Sequence, residues 1–201
     1  HLHLRAGDPV AAARHARTAV ARSPSSAEAH ELLGRLLLEA ARVPDAVRRL
    51  EAGLGLDPRL AMARWELIRL AALDGDWPRF DRLRAAAPVA ERRNRWSLNV
   101  RFAGWRGDRS ELARLDATLP DEPAIPATQR ALLLDVLAVY CGRHERAEPV
   151  IHALSDLAAR TTLNPRSAQW FMQLAAEVAA FVGRRSAPSR CSSGPPRSAS
   201  S

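Results

Sequence analysis

The chain has 201 residues, 47% of them hydrophobic, and a formal charge of +8, with arginine as its only basic residue besides histidine. It is long enough to bury a sizeable core. No apolar run reaches the roughly 20 residues that span a bilayer, and two cysteines, Cys141 and Cys191, are too few for a framework of disulfides. The helix formers Ala, Leu, Arg and Glu dominate while β-branched and aromatic residues are scarce, which predicts an all-α protein.

Half of the charge excess lies in residues 184–201, where four arginines meet no acid. A fold built to grip phosphates concentrates its charge on the folded part, so nucleic acid is not the expected partner. The first residues lack the charged and apolar regions of a signal peptide, which predicts a cytoplasmic protein.

In chain order, Gly7-Asp8-Pro9 predicts a helix start, with Asp8 as N-cap and Pro9 as first helical residue. This helix carries Val10, Ala12, Ala13, Ala16 and Val20 and stops at Ser23-Pro24. Residues 27–60 then give two helices. Leu33 and Leu37 form an apolar stripe on the first, Gly34 permits close approach of the second, and Ala46 is the small residue facing it. Leu50 fills the space beyond, and Pro58 ends the second helix.

Turns between paired helices are predicted at Gly7-Asp8, Ala41-Arg42, Gly75-Asp76, Gly107-Asp108 and Gly142-Arg143, at steps of 34, 34, 32 and 35 residues. A glycine able to take positive φ followed by an N-capping Asp suits such a turn. The third pair keeps Leu67 but places Phe80 where a small residue is expected. In the fourth, Trp96, Val100 and Ala103 share a stripe and Asp108-x2-Glu111 reads as a capping box. Pro120 to Pro126 is a loop, and Ala131 to Tyr140 with Ala147 to Leu154 makes a fifth pair. Asn164-Pro165 opens a last helix whose Trp170, Leu174, Val178 and Phe181 oppose Gln169, Gln173 and Glu177.

His30-x2-Leu33-Gly34-x2-Leu37, then Ala46-x3-Leu50 and Pro58, resembles the tetratricopeptide repeat in spacing, with His30, Leu37 and Leu50 where that family usually has Trp, Tyr and Phe. The resemblance implies an α-solenoid of antiparallel helix pairs wound as a right-handed superhelix. Degenerate repeats would occupy residues 1–160, with a capping or additional helix over 161–183 and a disordered tail over 184–201. It also implies a protein-interaction scaffold, binding a peptide or helical segment in a concave groove lined by the first helix of each pair.

Counted on the family's positions, Arg35, Arg69 and Arg101 would stand in a row able to fork onto carboxylates or phosphates, beside Glu31. The bland alternative is solvated arginine paired with Glu31, Glu39 or Glu66. Trp65, Trp105 and Tyr140 fall at or near groove positions, as anchors or as core. Glu31 and Arg35 stand where the chaperone-tail binders of the family carry clamp Lys and Asn, so that mode of binding is not expected.

No phosphate loop, Gly-x-Ser-x-Gly or His-Glu-x-x-His occurs, so no enzyme and no cofactor are expected. Cys141, His144, Glu148 and His152 have ligand-type spacing, but the helix start between the first two breaks their shared face, and no metal is expected. The start at His1, inside a repeat and without Met, predicts a piece of a larger protein. Repeats of this kind look like those following the catalytic domain of bacterial serine/threonine kinases or the DNA-binding domain of transcriptional regulators, which predicts a docking or sensing region. The rival expectation is an RNA-binding helical repeat, for which the net charge and the arginine row speak.

Overall fold

The computed structural model describes residues 9–93, 95–160 and 165–186; the predicted Gly7-Asp8 turn, the Asn164 helix start and the tail from 187 lie outside the described residues. Among the described residues the regular structure is entirely helical. The chain divides into two compact units, residues 1–96 and 97–201.

The first unit contains α1 (Pro9–Arg22), α2 (Ala27–Glu39), α3 (Val43–Leu56), α4 (Ala61–Asp74), α5 (Trp77–Ala85) and the short α6 (Val89–Arg93). Each of α1 to α4 packs on the next, and α2 also packs on α4, two helices on, which is repeat stacking within the unit. Helix α7 (Trp96–Arg106) starts at the boundary. The second unit continues with α8 (Arg109–Thr118), α9 (Ala127–Tyr140), a 3-10 turn (His144–Arg146), α10 (Ala147–Arg160) and α11 (Pro165–Ser186). The last helix therefore runs past the boundary predicted at 183.

The turns form where the spacing predicts, by one backbone device. Ala41, Gly75, Gly107 and Gly142 take φ of +57°, +73°, +69° and +102°. In each case the next amide donates to a carbonyl five residues back: Arg42 to Leu37 (2.8 Å), Asp76 to Ala71 (2.9 Å), Asp108 to Ala103 (3.0 Å) and Arg143 to Ala138 (2.9 Å). These bonds satisfy carbonyls that a helix end leaves open, and the left-handed residue sends the chain back antiparallel. Asp76 and Asp108 then start the following helices by accepting from the Arg79 and Glu111 amides at 3.0 Å. The predicted capping box is formed on its Asp108 side, while the Glu111 carboxylate forks onto Arg114 at 2.7 and 2.8 Å.

Packing in the first unit follows the predicted pattern. Leu33, Leu37, Ala46 and Leu50 are buried, as are Ala12, Ala16 and Val20 from α1. A Cβ at Gly34 would lie 2.7 Å from Leu50 Cγ and 3.2 Å from the Ala46 carbonyl oxygen, so only glycine permits this approach of α3. Leu50 forms a second cluster with Ala63 and Leu67 of α4. Burying one such leucine contributes about 1.5 to 3 kcal/mol, so three or four per pair outweigh any propensity term. Phe80 is fully buried despite standing at a small-residue position.

In the second unit Val100, Leu112, Leu115, Leu133, Leu137, Val150, Leu154, Leu174 and Val178 are buried, and α11 packs on α10 and α9. The predicted polar face of α11 is interrupted. Gln169 and Gln173 are exposed, but Glu177 turns inward to meet Arg101, because a buried guanidinium demands a counter-charge.

Candidate functional site

Helices α2 and α4 are the first members of successive pairs and lie against each other. Arg35 and Arg69 stand 34 residues apart, at the same position of the two, and both are half-buried. Arg35 has no ion pair or hydrogen bond among the described residues. Arg69 donates to the Glu66 carboxylate one turn earlier, at 3.0 Å from Nε and 2.9 Å from the terminal nitrogen, with about a quarter of each side chain exposed. Such a pair at a helix surface contributes well under 1 kcal/mol. Arg69 can therefore exchange Glu66 for an incoming carboxylate at little cost.

Glu31 belongs to the scaffold beneath this face. Its carboxylate accepts from the Ala63 amide at 3.3 Å, in the first turn of α4, where Leu60 at the N-cap offers no side-chain acceptor. A carboxylate at this end satisfies an open N–H and complements the helix dipole. Glu31 thus ties the first helices of two pairs together.

Trp65 is buried, and its indole N–H donates to the carboxylate of Glu91 on α6. Glu91 also meets Arg64 at 3.4 Å, and the Arg95 guanidinium lies over the indole, 5.5 Å from its centroid. The ring is a packing element with a satisfied polar edge. Helix α6 adds to the predicted elements; its signal in the sequence is Pro88 followed by Glu91 in the first turn.

The second unit corrects two further expectations. Arg101 is 3% exposed and forks onto Glu177 at 2.5 and 2.8 Å, with its cation 5.1 Å from the centroid of one ring of Trp105. Tyr140 is buried too. A Cβ at Gly104 would lie 2.5 Å from its ring, and Phe181 meets it edge-on at 4.8 Å between centroids. Its hydroxyl is buried beside Trp105 without a hydrogen bond of normal geometry, and burial, aided by the Glu177 carboxylate, pushes the phenol far above its ordinary range. Both residues are closed to a partner in this arrangement by contacts that α11 supplies.

Cys141 is exposed at the end of α9, with its thiol raised first by partial burial and then by Asp116. His144 sits in the 3-10 turn against Phe181, and His152 lies 4.0 Å from Glu148 on α10. Among the described residues no three His, Cys, Asp or Glu side chains gather in a way that could hold a metal ion. No described helix is long and apolar enough to cross a membrane.

The first unit also holds a recess lined by Arg17, Arg42, Arg48 and Arg49. Its residues come from two helices and a turn and share no spacing that would have announced them.

A family model described as tetratricopeptide repeat matches residues 3–65. Neither the curated proteins nor the solved structures give a match. Proteins of this repeat family generally mediate protein–protein interaction and are typically non-catalytic scaffolds. The chain is an all-α helical-repeat protein, and over residues 3–65, which hold the first paired helices and the Ala41 turn, it is similar to the tetratricopeptide repeat.

Proposed function

We propose that the first unit is a docking module that binds an extended or helical peptide segment of a protein partner across α2 and α4, with Arg35 and Arg69 as its cationic contacts. The observation that carries this reading is the pair of equivalent, half-exposed guanidinium groups on adjacent first helices, one without an ion pair and the other in an exchangeable one. Mechanism here means binding. A preformed helical face spreads affinity over many small contacts, and two fork-shaped donors set which carboxylates are accepted.

The degenerate, Arg- and Ala-rich repeats support placing this module in a bacterial signalling or regulatory protein, with its activity carried elsewhere in that protein. A reducing cytoplasm, where the exposed Cys141 stays a thiol, suits the same reading.

Selection of a displayed random-peptide library on the full chain tests the proposal. Enriched peptides carry Asp or Glu, and Arg35→Glu with Arg69→Glu weakens their binding at least tenfold, about 1.4 kcal/mol, with unchanged helical circular dichroism. Equal binding to the double variant would refute the role of these arginines. Tight binding of any single-stranded RNA, collapsing between low and physiological salt, would favour the RNA-binding alternative.

A further inference from the structure

The second site lies in the same unit, on a different set of helices. Arg17 of α1, Leu33 and Leu37 of α2, Arg42 of the turn, and Asp45, Arg48 and Arg49 of α3 line a recess of about 420 Å³. That volume falls in the range of roughly 300–1,000 Å³ that holds ligands. Its floor is apolar, since Leu33 and Leu37 belong to the core, and its rim carries four guanidinium groups against one carboxylate.

Comparison with the following pair explains the excess. Between α3 and α5, Glu51 and Arg79 meet across the seam at 2.7 Å. The residues 34 positions earlier, across the seam between α1 and α3, are Arg17 and Asp45, which reverse the charges and could make the same bridge. They do not. Asp45 is engaged on its own side by Arg42 and Arg48, both within hydrogen-bonding reach. Arg17 and Arg49 are left without an ion pair among the described residues. The seam closed in one pair by an internal salt bridge is open in the preceding pair, with unpaired cations over a leucine floor.

The geometry points to a binding site for an acidic peptide segment that inserts one apolar side chain between α1 and α3 and sets its carboxylates on Arg17 and Arg49. Guanidinium groups accept planar carboxylates through two parallel N–H bonds, and the leucine floor adds an apolar anchor point. An oligonucleotide fits less well, because no aromatic ring lines the recess to stack a base. This site is independent of the α2–α4 face, since its charged residues come from α1, α3 and the turn before α3.

Fluorescence anisotropy with the full chain tests it. The probe is a short labelled peptide with one Leu flanked on each side by Asp and Glu. Binding of this probe is expected to weaken at least tenfold in Arg17→Glu with Arg49→Glu, severalfold in the milder Arg17→Gln with Arg49→Gln, and severalfold when the peptide Leu is replaced by Ser. The Arg17 and Arg49 changes are repeated in the Arg35→Glu, Arg69→Glu background, where the α2–α4 face is disabled and the same further loss is expected, which separates the two sites. No binding to the parent protein, or unchanged binding in the Gln variant with intact circular dichroism, overturns the proposal. Displacement of the peptide by oligouridylate at equal concentration also overturns it, in favour of a phosphate site.

Discussion

Replacing Glu177 by Gln isolates what the buried ion pair of the second unit does. Gln keeps the length, the shape and one acceptor oxygen, so steric loss is small. What disappears is the negative charge opposite Arg101, whose side chain is 4% exposed against 14% for Glu177. An uncompensated guanidinium at such a site costs about 3 to 5 kcal/mol, a large share of the roughly 5–15 kcal/mol that holds a domain folded. The retained hydrogen bond and the nearby Trp105 ring, over which Arg101 stacks, place the expectation near the lower figure. With an m-value of about 2 kcal/mol per molar urea, a loss of about 3 kcal/mol lowers the urea midpoint by about 1.5 M. The assay is urea unfolding of the full chain followed by far-ultraviolet circular dichroism, run as a cycle with Arg101→Met and with the double variant Arg101→Met, Glu177→Leu. Each single change should cost several kcal/mol while the double variant returns to within about 1 kcal/mol of the parent, because no charge is then stranded. A Glu177→Gln midpoint within experimental error of the parent would mean that Arg101 needs no counter-charge.

Two other predictions concern the turns. Ala41 occupies a left-handed position that glycine fills at the three later turns, so Ala41→Gly is expected to stabilise the first unit by about 0.5–1 kcal/mol, read from the thermal midpoint. A lower midpoint would mean that the turn does not need that conformation. Asp108 is held below the ordinary carboxylate range, first by the Glu111 amide and then by the Ser110 hydroxyl. Its folded-state value lies under its unfolded value, so its stabilisation is complete above the ordinary carboxylate pKa and fades as pH falls through the folded value. Asp108→Ala should cost about 1 kcal/mol at neutral pH, and the gap to the parent should close in acid. A gap that does not change with pH would contradict the capping role.

The turns and the Leu33, Gly34, Ala46, Leu50 contact were readable in the sequence because each rests on local chemistry: a left-handed residue, a missing Cβ, a leucine stripe at helical spacing. The same position count puts Arg35 and Arg69 on α2 and α4, which pack on each other. It misled for Trp65, Arg101 and Tyr140 because spacing tells which helix side a residue occupies and not what later packs over that side. Glu91 on α6 covers the polar edge of Trp65, and α11 closes over Arg101 and Tyr140 through Glu177 and Phe181. Glu31 reads in the sequence as a partner contact because its acceptor role depends on Leu60, an N-cap residue that cannot cap its own helix. The recess between α1 and α3 stayed hidden for a related reason. Its unpaired cations follow from Asp45 choosing Arg42 and Arg48 over Arg17, a competition that spacing does not decide.

Site-specific photo-crosslinking asks directly whether the α2–α4 face is the docking surface. A benzophenone side chain replaces Glu39, exposed one turn on from Arg35 on α2, in one protein and Arg82, exposed on α5, in another. Each is irradiated with the peptides selected on the parent chain. Strong crosslinking is expected from position 39, competed by unlabelled peptide, and little from position 82. Equal or stronger crosslinking from position 82 would contradict it.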